Sequence, residues 1–140
     1  MKVLALERTL TELDYVRLTN LIRRDMRGGS DALNDPSFAD LLKACAIVPV
    51  RQVPADVVTM HSQVLLLDRK SGERMKLTLC YPADAEPAAG IVSVLSPLGS
   101  SLLGLREGDV ARWLTPTGSE RAAEVLAILF QPEARGVYSM

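Results

Sequence analysis

Aromatic side chains are scarce in this 140-residue chain: one Trp, three Tyr and two Phe make up 4% of it, scattered through different segments. So few, so dispersed, do not build an aromatic-lined catalytic pocket. There is a single histidine, His61, which removes the material for a His-rich metal site or a Ser-His-Asp constellation. It stands in TMHSQV at the head of an apolar run, a position that suits a surface or turn histidine. No GxxxxGK[ST] stretch occurs, and the glycines of SPLGSSLLGLREG do not reproduce GxGxxG, so no phosphate cradle of either kind is signalled.

Basic runs are missing as well. Arg23-Arg24 and Arg69-Lys70 are the longest and the formal net charge is −1, which leaves little electrostatic basis for direct nucleic-acid binding. No apolar run approaches the roughly 18 residues that cross a bilayer, and the run in MKVLALERTL is too short for a signal-peptide core. Only two cysteines are present, Cys45 in LLKACAIV and Cys80 in LTLCYP. Both settings are apolar, which suits buried, reduced packing residues and a cytoplasmic protein.

What the chain does have is 48% apolar and 24% charged residues, the balance of a globular protein with a core, at a length that suits one domain or a domain with a short appendage. In TLTELDYVRLTNLIRRDMR, residues 9–27, the apolar side chains Leu10, Leu13, Leu18, Leu21, Ile22 and Met26 recur at spacings of three and four, predicting a helix. Its start is a capping box, either Thr9 with Glu12 or Thr11 with Asp14. Gly28-Gly29-Ser30 ends it, and Asn34 or Asp35 before Pro36 begins a second helix that runs to about Ala46. Two helices on a short polar loop cover their apolar stripes by folding into an antiparallel hairpin.

From Val48 the pattern changes. Pro49 and Pro54 mark a linker, and five strand candidates follow: DVVTMHSQVLLLD, RMKLTLCYP, GIVSVLSP, DVARWLTP and AAEVLAILFQ. Arg69-Lys70-Ser71-Gly72 and Thr115-Pro116-Thr117-Gly118 read as hairpin turns, and SPLGSSLLG as a helix of barely two turns. The fold class expected is α+β: a short N-terminal helical hairpin over 1–48, a linker over 49–56, and an antiparallel sheet domain with one short helix over 57–140.

Acidic residues are the remaining candidates for chemistry. Asp25, Asp31 and Asp35 lie at or near the tip of the hairpin, where carboxylates could hold Mg²⁺, but capping and turn formation account for the same residues. Arg23 and Arg24 read as a solvated face and Trp113 as a buried aromatic. No catalytic residue and no cofactor are signalled, and the expectation is a protein that is not an enzyme.

The ordered letters Ser96-Pro97, a small apolar helix over 98–104, Gly108-Asp109 and Pro116-Thr117-Gly118 resemble the C-terminal domain of the Gre transcript-cleavage factors. The upstream hairpin SQVLLLDRKSGERMKLTLCYPADA is similar to that family's first hairpin. With DVVTMHS leading in, FQPEARGVY near the end and an abbreviated helical arm, the chain resembles the Rnk family, the regulators of nucleoside diphosphate kinase. The resemblance implies an FKBP-like sheet behind a short coiled-coil arm, and RNA polymerase as partner, bound near the rim of its secondary channel in competition with Gre factors. No membrane, no direct nucleic-acid partner and no small-molecule substrate are expected. The arm departs from the Gre pattern: it is shorter, and RGGSDALND lacks the paired acidic tip, which argues against stimulated transcript cleavage. On this reading Ser96, Pro97, Leu98, Gly99, Ser100, Ser101, Leu102 and Leu103 form the polymerase-binding segment. The competing reading delivers Mg²⁺ from Asp31 and Asp35.

Overall fold

The computed structural model describes residues 8–28 and 36–137. A short strand β1 (Thr9–Thr11) leads into helix α1 (Glu12–Gly28), and helix α2 (Pro36–Ala44) leads out to strand β2 (Ala46–Val48). β1 and β2 pair in parallel, Thr9 opposite Ala46 and Thr11 opposite Val48. Periodicity over 9–27 predicts helix from the first residue, but Thr9 and Thr11 are β-branched residues flanking the fully buried Leu10, and their backbone finds strand partners. Of the two capping boxes, Thr11 with Asp14 is therefore the one formed: the Thr11 hydroxyl oxygen accepts from the Asp14 N–H at 3.0 Å.

The rest of the chain builds a five-stranded sheet in the order β5-β4-β3-β7-β6, from β3 (Gln63–Asp68), β4 (Arg74–Cys80), β5 (Ile91–Ser93), β6 (Val110–Leu114) and β7 (Glu120–Phe130). Both expected hairpin turns are present. At the first, Asp68 accepts from the N–H groups of Lys70 (2.8 Å) and Ser71 (3.1 Å) and pairs with Arg121. Those donors, Arg121 foremost, hold its carboxyl down at about 2. Gly72 supplies the left-handed residue, φ 76°.

The sheet is mixed, which corrects the expectation of an antiparallel one. β5 runs parallel to β4, Thr78 opposite Ile91. The connection from 81 to 90 makes two 3₁₀ turns and closes on left-handed Gly90, reversing the chain twice, so the next strand points the way β4 does. Register shifts in the β3–β7 pairing, between Gln63 and Val64 and between Leu65 and Leu66, are bulges that curl the sheet.

A second correction concerns DVVTMHSQVLLLD, whose first half is a turn. The Ser62 hydroxyl oxygen accepts from the Thr59 N–H and lies 2.9 Å from the Thr59 hydroxyl, and His61 adopts φ 68°. Local Ser/Thr bonding of this kind competes with the ladder and wins here. The strand begins at Gln63, with Val64 and Leu66 facing inward.

One apolar cluster joins Leu10, Leu18, Phe38 and Leu42 from the N-terminal segment to Val64, Leu66, Leu77 and Leu79 of the sheet and to Leu102, Leu103 and Leu105. Both cysteines are buried free thiols. No described helix is long and apolar enough to cross a membrane.

Candidate functional site

The segment 96–105 follows β5 and forms helix α3 (Pro97–Leu102). Ser96, extended at φ −70°, caps it: the Ser96 hydroxyl accepts from the Gly99 N–H at 3.0 Å and donates to the Ser93 carbonyl at 2.7 Å. Pro97 occupies the first helical position. Gly99 is there for space, since a Cβ would sit 1.9 Å from the Ser93 carbonyl oxygen. Gly104, at φ 81°, ends the helix, donating to the Val58 carbonyl (2.8 Å) and accepting from the Thr9 N–H (3.1 Å).

Arg8 reaches the other end of α3. One terminal nitrogen of its guanidinium donates to the carbonyls of Ser100 (3.0 Å) and Leu103 (2.9 Å), placing a cation at the helix C-terminus. Burial lowers its pKa. The segment just before α1 is thereby tied to α3.

Of the eight segment residues, Leu102 and Leu103 are core, at 1% and 0% exposure, and Gly99 and Ser101 are buried with them. Ser96, Leu98 and Ser100 are half-buried and Pro97 is exposed. The outward face of the segment is therefore Ser96, Pro97, Leu98 and Ser100, with the buried leucines as its support. Leu105, just after the segment, is fully buried.

Beside this face lies a groove of about 380 Å³, bounded by Leu41 of α2, Leu95, Pro97 and Ser100, and Trp113 and Leu114 of β6, with Arg8 and Arg112 at its margins. Trp113 is half-buried, and Leu114 is 56% exposed at the sheet edge. Sequence reasoning missed Arg8, Trp113 and Leu114 as partners of α3. The available signal was ARWL, where alternation puts Leu114 on the outward side with Arg112.

His61 is a turn residue, as TMHSQV suggests, and its left-handed backbone costs on the order of 1 kcal/mol. Its ring lies 5.6 Å from Tyr81, tilted by 59°. Asp31 and Asp35, the tip carboxylates, and the turn around them lie outside the described residues. Among the described residues no group of three or more His, Cys, Asp and Glu side chains is arranged to hold a metal ion.

Asp14, at the start of α1, is the buried titratable group nearest the root of the arm, 4% exposed. Its carboxylate accepts from the Met60 N–H at 3.2 Å. Desolvation, reinforced by the charge of Glu133, pushes its pKa up to about 6 against the opposing Met60 bond. Glu133 in turn accepts from the Thr59 hydroxyl at 2.8 Å.

Residues 53–130 match the family described as transcription elongation factor, GreA/GreB, C-term. The regulator of nucleoside diphosphate kinase of Escherichia coli strain K12 is 39% identical over 132 residues, 92% of this chain and 93% of that one. Transcription elongation factor GreA of Desulfotalea psychrophila is 37% identical over 89 residues, which span 55% of its length. Among solved structures, a prokaryotic transcription elongation factor GreA/GreB from Nitrosomonas europaea superposes with a TM-score of 0.71 at 30% identity, covering 89% of this chain and all of that one. These relatives are named as regulators or elongation factors. This chain belongs to the GreA/GreB C-terminal family, within the group of the regulators of nucleoside diphosphate kinase, and is a transcription-factor-like regulator related to Gre.

Proposed function

We propose that this chain binds RNA polymerase at the rim of its secondary channel and regulates transcription there, competing with Gre factors and leaving transcript cleavage unstimulated. The sheet domain, 57–140, is the anchor, and the short helical hairpin, 1–48, occupies the channel mouth. Any effect on nucleoside diphosphate kinase levels follows indirectly from transcription.

The observation that carries this reading is the α3 edge. A helix pinned at one end by Ser96 and at the other by Arg8 presents Pro97 and Ser100 beside the exposed Leu114 and half-buried Trp113. A rigid apolar ledge with flanking arginines is the composition of a protein-binding surface, where aromatic and Arg anchors dominate the energetics. Rigidity matters because a preformed surface loses little entropy on binding. The reach of the arm supports the non-cleaving role. At about 1.5 Å per residue, α1 spans roughly 25 Å and α2 roughly 14 Å.

The test is binding to purified core RNA polymerase with GreA as competitor and transcript cleavage scored in the same reactions. Mutual displacement without stimulated cleavage is the expected result. Stimulated cleavage would move the function to the tip carboxylates Asp31 and Asp35, and absence of binding at micromolar concentration would remove polymerase as the partner.

A further inference from the structure

On the side of the molecule built by α1 and the turn after β4 lies a second groove, of about 820 Å³, whose composition differs from that of the α3 ledge. Arg17, Arg23 and Arg24 line it from α1, and His61, Tyr81 and Asp84 from the sheet domain. The three arginines come to one side because residues 17, 20 and 24 recur at helical spacing and 23 flanks them. Against them the described lining sets a single carboxylate, Asp84.

We propose that this groove binds a small polyphosphate anion, of the size of a nucleoside di- or triphosphate. Three observations carry the inference. The volume is that of a small-molecule site. The guanidinium groups supply planar forks suited to phosphate oxygens, and a concave wall focuses their field. The chain's single histidine is held in a left-handed turn, its N–H donating to the Leu79 carbonyl at 2.8 Å, and this turn puts its ring in the groove beside Tyr81. Arg17 stands next to the Tyr81 hydroxyl, which is buried and whose pKa burial pushes up to about 12, so Tyr81 offers the groove a neutral wall. Arg23 and Arg24, read from sequence as a solvated face, are on this view the exposed half of the clamp.

Because His61 is the one imidazole in the chain, it reports on the groove without assignment by mutation. Its pKa is lowered, first by burial; Asp84 from the turn after β4 and Glu133 from the C-terminal turn pull it up, and Arg17 from α1 pushes it down. A bound polyanion adds a negative charge beside the ring and raises it.

The experiment is an imidazole NMR titration of the full chain at low ionic strength, with polymerase absent, using inorganic tripolyphosphate, ATP and a short oligoribonucleotide as separate probes. Expected are a saturable shift with tripolyphosphate and with ATP, a rise of the His61 pKa by about 0.5 or more, and roughly tenfold weaker binding in the double variant R23Q/R24Q, whose fold is checked by circular dichroism. Weakening by added salt accompanies it. No saturable shift at millimolar tripolyphosphate, an undiminished shift in R23Q/R24Q, or binding of the oligoribonucleotide alone would each overturn the proposal, the last by assigning the face to a nucleic-acid backbone.

Discussion

Replacing Asp14 by Asn gives a stability change whose size and pH window both follow from the geometry at the root of α1. The carboxylate is 4% exposed, accepts from the Met60 N–H and the Thr11 side chain, and lies between the negative charge of Glu133 and the positive charge of Arg17, with burial the largest influence. Its folded pKa, about 6, lies above the ordinary 3.8. For a raised pKa the stabilising contribution is complete below the unfolded value and is lost as pH rises through the folded one. Between pH 4 and pH 7 the wild-type chain therefore loses about 2.4 kcal/mol at this site. Asn has the shape of the protonated acid and accepts the same Met60 bond, so Asp14→Asn does not pay that penalty. The assay is urea unfolding of both proteins at half-unit pH steps from 4 to 7.5. Near pH 4 the two agree; at pH 7 the variant is more stable by about 2.4 kcal/mol, or roughly 8 °C in Tm. Asp68, whose pKa is depressed, contributes in the opposite sense and loses its contribution as pH falls toward about 2, outside this window and common to both proteins. A difference that is flat across the range, or that favours wild type at pH 7, would refute the reasoning.

Other substitutions separate support from contact. Gly99→Ala drives a methyl into the Ser93 carbonyl and should cost about 1–3 kcal/mol in urea unfolding, as overpacking does. Arg8→Met leaves the Ser100 and Leu103 carbonyls without their cationic donor and should lower stability by about 1.5–3 kcal/mol. Leu114→Asp, at an exposed edge position, should leave Tm within a degree or two while weakening binding to core polymerase about tenfold or more, measured by competition with GreA. Unchanged binding would take the β6 ledge out of the interface.

Legibility in the sequence followed the range of the interactions. The two hairpin turns, α3 and the Thr11 with Asp14 box depend on residues within three or four positions of each other, and their letters announce them. β1 and β2 do not: three residues each, they are strands because they meet one another and Gly104, a fact about distant parts of the chain. The parallel β5 escaped for the same reason, since its direction is set by the path of the connection before it and not by its own IVS. Within the candidate site, Ser96 through Leu103 stood out as a motif, but its division into a supporting half and an outward half requires knowing what lies beneath. Arg8 was invisible as a helix-end donor because the carbonyls it reaches are more than ninety positions away.

The parallel pairing of β1 with β2 has a bearing on reach. The chain sets out for α1 and comes back from α2 at neighbouring points of one seam, Thr11 opposite Val48, and Leu18, Phe38 and Leu42 pack the base of the excursion onto the sheet, so its two ends are held at a fixed gap. Residues inserted beyond that packed base, after Ile22 and before Phe38, lengthen the excursion without altering that gap, the sheet or the α3 ledge. Distance probed and place held are thus separate variables in this architecture, and the seam is what keeps them independent.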